Sequence, residues 1–312
     1  MKIHILTYTK RDREIGSQWL QLEMLRKSAE KLGHETEIVY ADECQLRFFK
    51  KPEILINNQK PNIDILLVKA SFLGDDSGEQ VSLIKQFELA GITVVNKHYA
   101  VRSSKDKVKN IQVLQKNNIP TPRTIVVRSA QMLEDVVKEI GKYPLILKTS
   151  SGSLGVGVMI IESKRAMQSI VEMLHGQRHI SLVIQEYIKE SSGKDIRAFV
   201  VGNKVIAAME RVARKRGEFR SNFSLGGKIQ EIELTAEENK LALNAANACK
   251  LEMAGVDIIR TNSGPKILEV NSNPGIEGIT EATDKDISGA IIKYCVKKYK
   301  KIELQKNKKV KK

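Results

Sequence analysis

The first hundred residues alternate apolar runs of strand length with segments whose apolar residues recur at helical spacing. KIHILTYT, TEIVYA, IDILLVKA and ITVVN predict strands, whereas residues 17–32 and 79–89 predict helices. This alternation is typical of a small parallel sheet covered by helices, so we predict an α/β domain over residues 1–97. Residues 10–15 lack the glycines of a dinucleotide-binding fingerprint, which argues against a Rossmann cofactor site at that position.

Beyond residue 97 the pattern changes to helices mixed with antiparallel strands. Ser103 and Asp106 resemble a capping box, which predicts a helix that ends before Pro120. The segment YPLILKTSSGSLGVGVMIIES has the form of a strand, a glycine-rich loop and a second strand. Two strands joined in this way form an antiparallel hairpin, which differs from the strand-to-helix setting of a P-loop. We therefore predict an α+β unit over residues 98–180.

The following segment, residues 181–298, is predicted to form a second α+β unit. Its apolar runs SLVIQEYI, DIRAFVVG and KVIAAMERV predict strands, and VDIIRTNSGPKILEVN predicts a hairpin around an Asn-Ser-Gly turn. Thr235 and Glu238 form a second capping-box pattern at the start of a helix. A final helix is predicted over residues 284–298, followed by a basic tail over residues 299–312.

The composition excludes several classes of protein. A hydrophobic fraction of 41%, a charged fraction of 29% and 7 prolines among 312 residues describe a globular chain. The three cysteines form no CxxC pair, so neither a disulfide framework nor a zinc site is indicated. No apolar run approaches the roughly 18 residues of a membrane helix, and the N-terminus lacks the layout of a secretory signal. We expect a cytoplasmic protein that does not partner with a membrane.

The positive charge is concentrated near the C-terminus. Residues 297–312 contain nine lysines and one glutamate, and so contribute +8 of the net charge of +15. Such a tail could attract nucleic acid or the ribosome electrostatically, and it could equally be a solvated end of the chain.

A lysine followed by glycines indicates a possible phosphate site. Lys148 ends the run LILK and precedes Gly152, Gly155 and Gly157. An ammonium group can contact phosphate oxygens, and glycine N–H groups can approach a phosphate chain closely. A flexible hairpin with a solvent-exposed lysine would show the same pattern. Further along, IQEYIKE could present main-chain groups to an adenine, and Asp195 could bind a ribose hydroxyl or cap a turn.

Three oxygen-bearing side chains fall on the predicted hairpin of the second half. Glu269 and Asn271 are two residues apart on one strand and therefore share a face, and Asp257 can lie opposite them. Two carboxylates and an amide suit Mg²⁺, which prefers oxygen ligands and completes its shell with phosphate and water. The alternative is an acidic hairpin on the surface, but carboxylates among strand hydrophobics require a partner.

Arginines could complete such a site. The forked donors that could surround a triphosphate and a second anion are Arg197, Arg211, Arg220 and Arg260. Each of them alone is also compatible with a surface salt bridge. We predict that Lys148, Arg220 and Arg260 are the catalytic cations.

Several segments resemble the ATP-grasp carboxylate–amine ligases, and among them the RimK type, which are ribosomal-protein glutamate ligases. The resemblance covers about residues 104–298. The segments that carry it, in the family's order and spacing, are SKDKVKNIQVLQKNNIPTP, LILKTSSGSLGVGV, LVIQEYIKESSGKDIRAFVVGNKVIAAMERVARKRGEFRSNFSLGG and AGVDIIRTNSGPKILEVNSNPGIEGIT. The implied fold is a pre-ATP-grasp α/β domain followed by a two-subdomain α+β ATP-grasp fold.

The resemblance also implies roles for individual residues. Two Mg²⁺ or Mn²⁺ ions would be bound by Asp257, Glu269 and Asn271. The nucleotide-binding residues, from phosphates to adenine and ribose, would be Lys105, Lys148, Glu186, Tyr187, Ile188, Asp195, Arg220, Ser221 and Asn222.

The implied activity is the ATP-dependent joining of a substrate carboxylate to an amino acid through an acyl phosphate. NSNPGIEGI has the form typical of glutamate-adding members, so glutamate and a protein or peptide C-terminus, such as that of a ribosomal protein, are the leading substrates. Val68-Lys69-Ala70-Ser71 departs from the Pro-Arg-Ile-Gly turn common in the family. The acceptor could therefore be a small or carrier-bound molecule. A third alternative is a nucleotide-responsive protein that binds RNA or ribosomes. We also expect a homo-oligomer.

Overall fold

The fold is taken from a computed structural model that describes residues 1–9, 16–69, 77–129, 132–149, 157–173, 181–213 and 227–310. Among the described helices, none is long and apolar enough to cross a membrane.

The N-terminal segment contains a four-stranded parallel sheet, as its pattern predicts. The strand order is β2-β1-β5-β6, and all described pairs in this sheet are parallel. The sheet strands and their helices are β1 (Ile3–Thr7), α1 (Ser17–Lys31), β2 (Ile38–Tyr40), β5 (Ile65–Val68), α2 (Ser77–Leu89) and β6 (Thr93–Val95). Every residue of β1 and β5 is buried, because helices and neighbouring elements cover both faces.

One hairpin of this segment is not predicted by the sequence pattern. β3 (Cys44–Phe48) and β4 (Pro52–Ile56) pair as an antiparallel hairpin between β2 and β5. No residue of β3 is buried, and its sequence lacks the alternation of apolar and polar residues that would predict a strand.

The middle segment begins with two short helices, α3 (His98–Lys105) and α4 (Lys107–Lys116). The predicted capping box of Ser103 with Asp106 is wrong, because Asp106 is itself the N-cap of α4. Its Oδ1 accepts hydrogen bonds from the backbone N–H groups of Val108 and Lys109.

An antiparallel sheet of order β7-β10-β8-β9 follows. The hairpin of β8 with β9 confirms the predicted strand, loop and strand, although residues 150–156 of the loop lie outside the described residues. The elements of this sheet are β7 (Thr124–Val127), α5 (Leu133–Ile140), β8 (Leu145–Thr149), β9 (Val158–Ile161), α6 (Lys164–Met173) and β10 (Leu182–Glu186).

The last segment is a five-stranded antiparallel sheet of order β13-β12-β11-β14-β15. The capping box of Thr235 with Glu238 is confirmed at the start of α7. The elements are β11 (Lys194–Val201), β12 (Lys204–Val212), β13 (Lys228–Glu231), α7 (Ala236–Ala248), β14 (Met253–Thr261), β15 (Gly264–Asn271), α8 (Glu277–Thr283) and α9 (Ile287–Val310).

The final helix is longer than predicted. α9 continues to Val310, about three turns beyond the predicted end near Lys298. Lys298 donates to the backbone carbonyl of Val94 and to Glu252, and the Tyr299 hydroxyl donates to Asp64. The start of the predicted tail is therefore helical and bound to the N-terminal segment.

The hydrophobic core is shared across the chain. One apolar cluster joins Ile3 and Leu25 of the N-terminal segment with Phe199 of β11 and Ile291 of α9. The N-terminal sheet is thus packed against the five-stranded sheet, and the unit boundaries at residues 97 and 180 stay a prediction.

Candidate active site

The candidate site is one face of the five-stranded sheet. In the observed register Asp195 lies opposite Arg211, Arg197 opposite Asp257, and Asp257 opposite Glu269. Directly opposed residues of antiparallel strands share a face, and so do residues two apart on one strand. The polar side chains of this row, which also includes Asn271, therefore project from the same surface.

Asp257 is the most enclosed carboxylate of this row, with 4% of its surface exposed. Arg197 donates to both of its carboxylate oxygens, with 2.8 Å from Nη2 to Oδ2, and Arg211 Nη2 lies 3.0 Å from Oδ2. Burial favours the neutral acid, but the two guanidinium groups outweigh it and hold the pKa of Asp257 below its ordinary value. Asp257 is therefore a buried anion at neutral pH.

Glu269 is the second carboxylate of the face. Asn271 Nδ2 donates to Glu269 Oε1 at 2.9 Å, so these two predicted ligands are in direct contact. Burial lowers the pKa of Lys105, Lys107 and Lys148, and the negative charge of Glu269 acts in the opposite direction on all three. Glu269 thus faces a group of lysines from the middle segment.

Lys148 approaches from β8 of the neighbouring sheet. Its Nζ donates to Gln185 Oε1 at 2.9 Å, and Gln185 Nε2 donates to Thr124 Oγ1 at 3.0 Å. Gln185 is buried on β10 and holds the ammonium group of Lys148 through this hydrogen bond. Sequence reasoning did not select Gln185, although a glutamine within the apolar run LVIQE was a usable signal.

Glu186 connects the two sheets where β10 ends. Its carboxylate accepts from Arg123 N and Arg123 Nε, both at 2.9 Å, and from Lys266 Nζ at 2.8 Å. Because these donors occupy the side chain, a nucleotide base at this position would be read by main-chain groups. Tyr187, whose hydroxyl donates to Ser192, and Ile188 follow in the same short connection.

Asp195 is also held by an arginine. Arg211 donates from Nε at 2.6 Å and from Nη2 at 2.7 Å to its two oxygens. Arg211 therefore bridges Asp195 and Asp257. The role of Asp195 at a ribose stays a prediction.

The structure does not bring Arg260 to this face, and its assignment as a catalytic cation stays a prediction. Arg260 lies three residues from Asp257 on β14, and an odd separation directs the two side chains to opposite faces. Arg260 instead donates to Glu238 of α7 at 2.6 and 3.0 Å, and 49% of its side chain is exposed. Arg197 is the arginine that lies beside Asp257.

Three predicted residues, Arg220, Ser221 and Asn222, lie outside the described residues. Within the described part of the chain, no group of three or more His, Cys, Asp or Glu side chains could hold a metal ion. The candidate set contains two carboxylates and an amide, so it does not belong to that class of cluster. A cavity of about 350 Å³ lies between α4, β7 and α5, beside Arg123, and contains none of the predicted site residues.

Comparison with known proteins identifies the family of the chain. A model of the RimK-like ATP-grasp domain matches residues 104–295. The chain belongs to the RimK-like ATP-grasp family. It is 38% identical over 282 residues to a probable alpha-L-glutamate ligase of Vibrio vulnificus, covering 88% of this chain and 91% of that one. Members of the family use ATP with Mg²⁺, and this protein is an ATP-dependent carboxylate–amine ligase.

Two solved structures show the same fold. The D-alanine–D-alanine ligase of Bacillus anthracis complexed with ATP is 20% identical, with a TM-score of 0.70 over 98% of this chain and 99% of that one. The ATP-grasp ligase PsnB, complexed with a phosphomimetic variant of its minimal precursor, Mg and ADP, is 18% identical, with a TM-score of 0.72 over 95% of this chain and 98% of that one. The predicted ATP-grasp fold is confirmed.

Proposed function

We propose that the protein joins glutamate to the C-terminal carboxylate of a protein or peptide through an acyl phosphate. The observation that carries this is the charged face of the five-stranded sheet, which bears Asp257, Glu269 and Asn271 and lies near the half-buried Lys148. The choice of glutamate is supported by the name of the Vibrio relative, and a peptide acceptor by the precursor bound to PsnB.

The donor set on this face fits a pair of hard divalent cations. Asp257, Glu269 and Asn271 offer oxygen atoms from two anionic groups and one neutral group, which is the chemistry that Mg²⁺ and Mn²⁺ prefer. Glu269 lies opposite Asp257 and touches Asn271, so it is placed to be shared between two ions. Bound ions would neutralise charge on the phosphates.

The residues of the chain have separate tasks in this reaction. Lys148 and Lys105, both half-buried, bind phosphate oxygens through their ammonium groups, and Gln185 accepts a hydrogen bond from Lys148. Arg197 and Arg211 keep Asp257 ionised and fix its position. Most of the rate enhancement then comes from positioning and from electrostatic stabilisation of the transferring phosphoryl group.

The chemistry requires two steps because a carboxylate has no good leaving group. A carboxylate oxygen of the acceptor attacks the γ-phosphorus, the bond to the bridging oxygen breaks, and ADP leaves. The glutamate amine then attacks the acyl carbon, phosphate leaves and the amine gives up a proton, so that an amide is formed. Exclusion of water protects the acyl phosphate between these steps.

The direct test is an incubation with ATP, Mg²⁺, glutamate and a set of peptide acceptors. We expect phosphate release that depends on both glutamate and acceptor, with a gain of glutamyl residues in the acceptor's mass spectrum. Release with other amino acids alone would contradict the choice of glutamate. Phosphate release only with a small amine or a carrier-bound acceptor would contradict the peptide acceptor. The departure of Val68-Lys69-Ala70-Ser71 from the family's Pro-Arg-Ile-Gly turn is the reason to include these acceptors.

A further inference from the structure

The strand that bears Glu269 and Asn271 lies at the edge of its sheet. In the order β13-β12-β11-β14-β15, the strand β15 pairs with β14 on one side, and no strand among the described residues pairs with its other side. Carbonyl groups on the other side need donors from elsewhere in the molecule. The hydrogen bonds made to the carbonyls of this outer edge determine how firmly the backbone that bears the two predicted metal ligands is held.

Three side chains from separate parts of the chain donate to the carbonyls of Val270, Ser272 and Pro274, at and just beyond the end of β15. Asn110 Nδ2 of α4 donates to the carbonyl of Val270 at 2.9 Å. Asn96 Nδ2, which follows β6, donates to the carbonyl of Ser272 at 3.0 Å. Lys69 Nζ, which follows β5, donates to the carbonyl of Pro274 at 2.5 Å. We call Asn110, Asn96 and Lys69 the carbonyl clamp.

The clamp is shielded from water. Asn96 is 0% exposed, Asn110 is 3% exposed and Lys69 is 6% exposed. A buried carbonyl that loses its donor cannot recover the lost bond from solvent, so each of these contacts has a large effect on the local backbone. On the side away from β14, the backbone on both sides of Asn271 is therefore held by side chains.

Asn96 also makes hydrogen bonds at the start of β14, the strand that carries Asp257. Its Nδ2 donates to the carbonyl of Met253 at 2.7 Å, and its Oδ1 accepts from the N–H groups of Glu252 at 2.8 Å and Met253 at 3.0 Å. Met253 begins β14, which carries Asp257. A single side chain thus sets the start of one ligand strand against the end of the other.

Lys69 adds a titratable amine to the same contact. Burial lowers the pKa of Lys69, and the nearby cations Lys105 and Arg197 lower it further. Burying this amine away from water is costly unless it is hydrogen-bonded, and the Pro274 carbonyl supplies the partner. Its hydrogen bond to Pro274 joins the N-terminal segment to the loop that follows Asn271.

We propose that the carbonyl clamp is a set of positioning residues for the metal centre and that it couples the N-terminal segment to the affinity of that centre. The proposal rests on the proposed function, since it takes Asp257, Glu269 and Asn271 as the ligands. Groups of this kind, which orient metal ligands without touching the ion, change metal affinity by about 10- to 100-fold when they are removed.

The test uses Lys69→Met and Asn110→Leu, which remove one donor each with little change in volume. Binding of Mn²⁺ is measured by electron paramagnetic resonance on the full chain with a non-hydrolysable ATP analogue, beside the thermal midpoint. We expect Mn²⁺ binding about tenfold weaker or more in both variants. Lys69→Arg, which keeps a donor, should recover part of the loss. Asn110→Asp, which keeps the shape but not the donor, is the second variant should Asn110→Leu fail to fold.

Gln86→Met is the matched control. Gln86 is equally buried in the N-terminal segment, and its Nε2 donates to the backbone carbonyl of Glu53 at 2.7 Å, far from the site. The control should lower the thermal midpoint without changing Mn²⁺ affinity. Clamp variants that behave like the control would overturn the clamp and leave the proposed function intact. Absence of Mn²⁺ binding by the unmodified protein would overturn the metal assignment and the clamp with it.

Discussion

The guanidinium of Arg197 lies directly across two paired strands from the carboxylate of Asp257 and donates to both of its oxygens. Neither group has appreciable access to water, since the side chains are 11% and 5% exposed. A predicted metal ligand is thus already part of a buried ion pair. The pair keeps Asp257 charged and in place before any cation arrives.

Replacing Arg197 with Met should therefore destabilise the fold. Removing one partner of a buried pair leaves an uncompensated charge, so we expect a loss of about 3 kcal/mol in the free energy of unfolding, measured with urea. Arg211 stays as a partner of Asp257, which limits the effect. Arg123→Met is the control, because Arg123 is 64% exposed and its pair with Glu186 is worth under about 1 kcal/mol. Equal losses in the two variants would contradict the argument.

Glu269→Gln should abolish turnover while preserving the fold. The substitution removes the negative charge that faces Lys105, Lys107 and Lys148 but keeps the shape of the side chain. We expect ATP-dependent phosphate release to fall by roughly 100-fold or more, with an unchanged thermal midpoint. The exposed Glu281→Gln should retain full activity. Turnover at the unmodified level in Glu269→Gln would remove Glu269 from the metal site.

Lys69 should make stability depend on pH in the alkaline range. Burial, reinforced by Lys105 and Arg197, lowers its pKa from 10.5 to about 7 in the folded protein. Between these values the unfolded chain binds the proton and the folded chain does not, so the free energy of unfolding rises with pH. Above pH 10.5, the pKa of Lys69 in the unfolded chain, both states are neutral. The stability that the neutral amine contributes there is lost progressively as the pH falls towards about 7, its pKa in the folded protein.

The measurement compares the unmodified protein with Lys69→Met by urea unfolding at about pH 7.5 and about pH 9.5. The unmodified protein should gain about 2 kcal/mol relative to the variant between these conditions. Two curves that stay parallel would show that Lys69 is not desolvated as its position indicates.

Truncations of α9 should have two distinct effects. Residues 304–308 are exposed, so deleting residues 304–312 should leave the thermal midpoint and ATP turnover unchanged. Deleting residues 298–312 also removes the contacts of Lys298 with Val94 and Glu252, and that of Tyr299 with Asp64. We expect this longer deletion to cost about 2–4 kcal/mol of unfolding free energy, measured by urea unfolding. Lost turnover in the shorter deletion would show that the basic end takes part in catalysis.

The sequence predicts which polar side chains share a face of the sheet, because strand alternation is a short-range property. A period of two puts Glu269 and Asn271 on one face whatever the rest of the chain does, and the hairpin brings Asp257 opposite. The same parity places Arg260 on the opposite face of β14, where it contacts Glu238.

The clamp, by contrast, could not be predicted from local patterns. Lys69 and Pro274 are 205 positions apart, and Asn96 and Ser272 are 176 apart. A lone asparagine after a strand favours a turn or a cap equally well, so nothing nearby in the sequence indicates a partner in another sheet. The helical continuation of α9 was missed for a related reason, since a lysine-rich segment has no apolar stripe that marks its end.

The clamp also limits how new acceptor specificities can be engineered. Grafting the first hundred residues of one ligase onto the catalytic half of another is an obvious way to exchange acceptors. In this protein Lys69 and Asn96 would be transferred with the graft, while the carbonyls of Pro274 and Ser272 would remain with the recipient. If the clamp positions the metal ligands as proposed, a chimaera that fails to match these pairs would bind magnesium more weakly, whatever its acceptor.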